Sequence, residues 1–167
     1  LFFITIRDFF ISKNKNFSQN IAHFGFSLLI LSILFNNLFS SEIITNLKVG
    51  ETFENSKTKI ILESINQKKE KNYNSILTNF TIESSKGVIE KLSPELRVYN
   101  QPNIVTSEAD IKTTLMSDKF IVINIVQNQD YFNVRYQIKP FMLWIWLSVL
   151  LISFGGLLSF LKKEYEK

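Results

Sequence analysis

The chain contains no cysteine. That excludes disulfides, thiolate metal sites, redox CxxC pairs and cysteine nucleophiles. It does not exclude an oxidising compartment, because a domain of about a hundred residues can pack without disulfides. Histidine occurs once, as His23, so any site that needs two imidazoles must borrow one from another segment or chain. No stripe of Lys and Arg interleaved with aromatics is present, which argues against nucleic acid. No internal repeat is visible. The opening LFFITIRDFFISKNKN puts apolar residues ahead of charges, the reverse of a signal peptide. Residue 1 is Leu, not Met, so the expectation is a fragment without its true N-terminus, or a natural split subunit.

Two long apolar runs dominate what is present. Asn20–Phe39 gives twenty residues without a formal charge, and Phe141–Leu161 gives twenty-one. Either is long enough to cross ~30 Å of hydrocarbon at ~1.5 Å per residue. The segments predicted are a cytoplasmic loop or interfacial stretch at 1–17, a transmembrane helix at 18–40 capped by Ser18, an extracytoplasmic β-rich domain at 41–139, a second transmembrane helix at 140–161, and a cytoplasmic tail at 162–167. Arg7, Lys13 and Lys15 precede the first run and Lys162, Lys163 and Lys167 follow the second. Positive flanks on both outer ends place them on the cytoplasmic side. Gly25, Ser32 and the Gly155-Gly156 pair are positions where another helix can approach closely.

The middle segment alternates. Ile76, Thr78, Phe80 and Ile82 oppose Leu77, Asn79, Thr81 and Glu83, and Phe132, Val134, Tyr136 and Ile138 share one face. Thr58–Ile65, Val88–Leu92 and Phe120–Val126 are further strands, with Lys68–Asn74 a loop tip and turns at Ser84–Gly87 and Asn128–Asp130. The fold class expected is membrane α-helical plus a small antiparallel β domain, a sandwich or barrel. Pro140 should end the last strand and open the second helix.

His23 is the leading candidate for chemistry. A titratable ring inside a span loses hydration and needs a hydrogen bond, a neighbouring helix or a metal. Ligand or proton-handling roles, an axial haem ligand foremost, and a histidine bonded to an adjacent helix carry about equal weight. In Leu92–Tyr99 (LSPELRVY), an extended backbone puts Glu95, Arg97 and Tyr99 on one face beside Pro94. That is a contact surface for a partner or, more simply, a local ion pair. Glu108 and Asp110 lack a nearby nucleophile and read as solvated or structural. Trp144 and Trp146 read as an interfacial aromatic belt.

Taken together, Ile21-Ala22-His23-Phe24-Gly25, Leu92-Ser93-Pro94-Glu95-Leu96-Arg97-Val98-Tyr99, Glu108-Ala109-Asp110-Ile111, Val134-Arg135, Lys139-Pro140 and Leu143-Trp144-Ile145-Trp146 resemble the C-terminal part of CcmF-type haem lyases of cytochrome c maturation. The resemblance covers nearly the whole chain. It implies a multi-pass protein of the bacterial inner membrane, or alternatively the mitochondrial one, with the 41–139 domain in the periplasm. It implies haem b as cofactor with His23 as one axial ligand. It also implies a haem chaperone, apocytochrome c and other maturation subunits as partners. Pro94, Glu95, Arg97, Tyr99, Glu108, Arg135, Pro140, Trp144 and Trp146 are the accompanying structural or docking candidates. The tryptophan-rich segment, the substrate-haem histidines and the second membrane histidine of that family are not in this sequence. The fragment alone is therefore not expected to catalyse ligation. Ser148 stands where the family pattern has glycine, and Phe120–Asn124 is an atypical strand. The competing class is a non-enzymatic two-pass scaffold or sensor.

Overall fold

The computed structural model describes residues 2–11, 17–85, 87–126 and 130–165. Lys13, Lys15, Lys86, Asn128, Gln129 and Lys167, which figured in the expected flanks and turns, lie outside the described residues. The chain forms two compact units.

One unit holds three helices, α1 (Phe2–Ile11), α2 (Phe17–Phe39) and α3 (Met142–Tyr165), together with the loop Thr113–Asp118. In α2, and in α3 from Met142 to Leu161, the helices are long and apolar enough to cross a membrane. They pack through small side chains. A Cβ added to Gly155 would lie 2.7 Å from both the Ala22 nitrogen and the Ser18 oxygen, and one on Gly25 would lie 3.0 Å from the Ile152 nitrogen. Gly156, its expected companion, has nothing within 4 Å. Ser27, Ser32 and Ser148 are buried, and the Ser148 hydroxyl donates to the Trp144 carbonyl at 2.6 Å. Hydroxyls bonded within their own helix can sit at an apolar seam without an unmet polar group.

Two boundaries differ from expectation. α2 begins at Phe17, so Ser18 lies in its first turn rather than ahead of it. Pro140 closes the last strand and does not open α3. Phe141 intervenes with φ 61°. A left-handed residue reverses the chain direction too sharply for helix to begin at Pro140, at a cost of about 1–2 kcal/mol. Offsetting it, the Phe141 amide donates to the Met116 carbonyl at 2.9 Å, and its ring lies 5.3 Å from that of Phe35. Asn36 Nδ2 donates to the Pro140 carbonyl at 2.6 Å.

The other unit is an antiparallel β-sandwich. Its strands are β1 (Ser41–Leu47), β2 (Thr52–Glu54), β3 (Thr58–Lys69), β4 (Tyr73–Ser84), β5 (Ile89–Leu92), β6 (Glu95–Tyr99), β7 (Val105–Glu108), β8 (Asp110–Thr113), β9 (Ser117–Ile125) and β10 (Phe132–Pro140). One sheet runs β1-β10-β9-β8; the other runs β2-β3-β4-β6-β7, with β5 also on β4. Period-two alternation sends Ile60 and Leu62, Phe80 and Ile82, Ile121 and Ile123, and Val134 and Tyr136 into one core. Each contributes roughly 1.5–3 kcal/mol by burial. Lys68, Lys69, Tyr73 and Asn74 are ladder residues, not a loop tip, because the β3–β4 pairing continues to Lys69↔Asn74. Long stems let polar side chains ride on a paired backbone. The expected turn at Ser84 is closed by the Gly87 amide, which donates to the Ser84 carbonyl at 2.8 Å.

A charge cluster lies inside this core. Glu90 on β5 is only 7% exposed. Its carboxylate meets Lys119 Nζ of β9 at 2.8 Å and Lys112 Nζ of β8 at 3.4 Å. One side chain thus bridges both sheets. Burial alone raises its pKa, but the Lys119 hydrogen bond and the two ammonium charges outweigh burial and leave it below the usual carboxylate value. Tyr136 is pushed up to about 12, mainly by burial and then by the charge of Glu90.

Two predictions follow from this packing. Gly155→Val should destabilise the helical unit by about 1–3 kcal/mol through overpacking against backbone, while Gly156→Val should be close to neutral; thermal unfolding of the detergent-solubilised protein compares them. Glu90 is ionised in the fold, so its stabilisation is present above its unfolded pKa and is lost as pH falls through the depressed folded value. Acid unfolding followed by circular dichroism should therefore steepen below pH 4.5. Glu90→Gln should flatten that limb and cost about 1–3 kcal/mol at neutral pH by leaving Lys119 unpaired.

Candidate functional site

His23 lies two turns into α2, and the packing around it sets where it points. Ala22 and Gly25 press against α3, and Ile21 is buried. The rotation of α2 is thereby fixed, and His23, between these positions, is exposed. The neighbouring turn is tied down by the Ser27 hydroxyl, which donates to the His23 carbonyl at 2.9 Å. His23 lines a pocket of about 260 Å³ with Thr5 of α1, Phe26 and Ser27. The Thr5 hydroxyl donates to the Phe2 carbonyl at 2.8 Å, and the Phe2 ring stacks on Phe24 at 6.0 Å, so α1 is held along this side of α2. Among the described residues no hydrogen-bond partner meets the His23 ring, and no group of three His, Cys, Asp or Glu side chains is placed to hold a metal ion.

An imidazole with both nitrogens uncommitted can offer one to iron and the other to an acceptor. The wall beside it is apolar at Phe26 and carries hydroxyls at Thr5 and Ser27. The sequence has no second histidine to complete a bis-imidazole pair.

The Leu92–Tyr99 motif forms a second cluster, in the sandwich. β5 and β6 both pair with β4 and are one strand interrupted at Ser93-Pro94. Proline has no amide to donate, which breaks the ladder there. Thr78 fills the gap by donating both its amide (3.1 Å) and its hydroxyl (2.9 Å) to the Pro94 carbonyl. The Ser93 amide donates to Asp110 Oδ2 at 2.6 Å, so Asp110 is structural.

Beyond the interruption, Glu95, Arg97 and Tyr99 do share one face. Arg97 meets Glu95 at 3.0 Å and Glu108 at 3.7 Å. Its guanidinium lies 5.3 Å from the centre of the Tyr73 ring, which in turn lies 5.3 Å from Tyr99. Glu95 is held below the usual carboxylate value by hydrogen bonds from Arg97 and then Ser75. The Glu95 and Tyr99 hydrogen bonds raise Arg97 further above its ordinary range. The pairs are partly exposed and their worth is modest. Arg135 is likewise an ion-pair residue: its Nε donates to Glu42 across the β1–β10 ladder, and Gln137 donates to the same oxygen at 2.6 Å.

The structure brings Glu95, Arg97, Tyr99 and Glu108 together. Pro140, Trp144 and Trp146 belong to the helical unit. Trp144 Nε1 donates to the Leu115 carbonyl at 2.9 Å, whereas Trp146 is 64% exposed. Glu90 and Phe141 were not anticipated. Glu90 had a usable signal, since it alternates in phase with buried Leu92. Nothing local marks Phe141 for a left-handed conformation.

A family described as the CcmF C-terminal beta-sandwich matches residues 38–140. The cytochrome c-type biogenesis protein ccl1 of Rhodobacter capsulatus is 30% identical over 145 residues, covering 87% of this chain and 22% of the relative. The cytochrome c-type biogenesis protein CcmF of Pseudomonas fluorescens is 28% identical over 148 residues, covering 89% and 22%. Among solved structures, the cytochrome c haem lyase CcmF superposes with a TM-score of 0.66 at 15% identity, covering 93% of this chain and 27% of that one. The chain thus spans about a quarter or less of the length of these two relatives.

Proposed function

Since the chain belongs to the CcmF family of cytochrome c biogenesis proteins, we propose that it is the C-terminal section of a membrane haem lyase subunit and that His23 is one axial ligand of a haem b. The observation that carries the reading is the family match over 38–140, joined to an exposed, unbonded imidazole on a membrane-length helix. An ionisable ring at that depth is costly unless a partner covers it. A bis-imidazole site would take its other histidine from another segment or chain, because this sequence has one.

The residues on this chain have distinct roles in that proposal. His23 would hold the iron through a ring nitrogen. Phe26 supplies apolar surface, and Thr5 and Ser27 line the same pocket. The Ala22–Gly155 and Gly25–Ile152 contacts set the side from which the His23 side chain leaves the helix. When bound, haem b supplies a redox-active iron. The partners proposed are a haem chaperone, apocytochrome c and the other maturation subunits, with the Arg97 cluster and its surroundings as structural or docking surface. The site proposed for the protein is the bacterial inner membrane, with the sandwich on the periplasmic side and both helices α2 and α3 spanning.

The test is an absorption spectrum of the purified full-length protein with and without His23→Ala. Loss of most of the low-spin haem signal, with the helical content by circular dichroism unchanged, is the expected result. An unchanged low-spin spectrum in the variant overturns the ligand assignment. A reporter inserted near Lys69 that proves cytoplasmic overturns the topology.

A further inference from the structure

The loop between β8 and β9 belongs to the helical unit, and its tip is apolar. Leu115 and Met116 are each 59% exposed. Their carbonyls are nevertheless engaged, Leu115 by Trp144 Nε1 at 2.9 Å and Met116 by the Phe141 amide at 2.9 Å. The turn also closes on itself. The Thr114 amide and hydroxyl donate to the Ser117 carbonyl at 3.0 and 2.7 Å, and the Ser117 amide donates to the Thr114 hydroxyl at 3.1 Å. The loop therefore presents apolar side chains outward while meeting backbone polar groups inward.

We propose that this loop is a membrane-interface anchor, with Leu115 and Met116 seated among phospholipid headgroups and upper acyl chains. Three observations select lipid as the occupant. The two bonds from Phe141 and Trp144 pin the loop to the first turn of α3, and so to the depth at which that helix leaves the hydrocarbon. Trp146, in the same turn, is exposed, and tryptophan favours that boundary. Finally, a loop enters a low-dielectric layer more readily when its backbone groups find partners within the protein, and the carbonyls of both tip residues do. At the other helix, Leu38 and Phe39 at the end of α2 are each 63% exposed and continue the apolar rim.

The inference rests on α2 and α3 spanning the bilayer, and its test separates the two claims. The chain has no cysteine, so single Leu115→Cys, Met116→Cys, Lys71→Cys and Leu150→Cys variants of the full chain can each carry one environment-sensitive fluorophore. They are reconstituted in phosphatidylcholine–phosphatidylglycerol vesicles. Lys71, at the β3–β4 tip, is exposed, and Leu150 lies mid-α3 at 67% exposure. Labels at 115 and 116 should be quenched by lipids with a nitroxide near the headgroup about twofold more than a label at 71. They should also be correspondingly protected from aqueous iodide. Equal iodide access at 115, 116 and 71 overturns the anchor. Protection from both quenchers also overturns it, because a protein surface then covers the loop. If the Leu150 label escapes deep-chain nitroxides, the spanning reading fails and the anchor falls with it. Quenching at 150 without quenching at 115 and 116 removes the anchor alone.

Discussion

The approach of α2 to α3 through Ala22, Gly25 and Gly155 is the constraint on which the helical unit depends. Between lipid-facing helices there is little hydrophobic drive, because acyl chains are as apolar as leucine. Association rests on close van der Waals fit and on a few hydrogen bonds. A Cβ at Gly155 would stand 2.7 Å from the Ala22 backbone nitrogen, so only glycine allows this separation. That contact sets the rotation of α2 and hence the direction of His23. It also lies in the same seam as Asn36, whose amide reaches the Pro140 carbonyl. The chemistry proposed for one ring is therefore held by residues that have no chemistry of their own.

The sandwich uses a different balance. Its core is mostly aliphatic, with Phe80 and Tyr136, yet it keeps Glu90 at 7% exposure. Desolvating a carboxylate is costly, and the attraction of two lysines must exceed that cost for the pKa to fall as it does. Both lysines come from the sheet opposite β5, so the triad rewards one register of the two sheets and penalises a slip by one residue, which would turn Glu90 outward. The Arg97 cluster works at the surface, where solvent screens it. Its geometry holds Tyr73, Glu95 and Glu108 in place more than it adds stability.

Much of this was legible in the sequence, for physical reasons. Long uncharged runs fix the helices because hydrocarbon thickness leaves few other solutions. Period-two alternation fixes β4 and β10. The boundaries were harder. The loop tip read over Lys68 to Asn74 narrows to residues 70–72, because ladder bonds on either side do not depend on side-chain polarity. Pro140 looked like a helix start because its φ suits one; the left-handed Phe141 depends on Met116 and Phe35, which are distant in sequence. β1, β2, β7 and β8 carry weak alternation and were found only through their partners. His23 was legible as an exception, a lone ring in an apolar run, while its exposure depended on which face Gly25 and Ala22 gave to α3.

That exposure bears on how a cofactor site shared between segments should look from one side. A histidine committed to the local fold would meet a carbonyl or hydroxyl of a neighbouring helix, since an unmet polar group at membrane depth costs several kcal/mol. Here α3 takes the opposite face, and the hydroxyl nearest in sequence, Ser27, bonds to the His23 backbone and not to its ring. Thr5 is turned to the Phe2 carbonyl. Packing of α2 on α3 sets the side from which the His23 side chain leaves the helix, while the ring, exposed and without a hydrogen-bond partner among the described residues, keeps its own rotations.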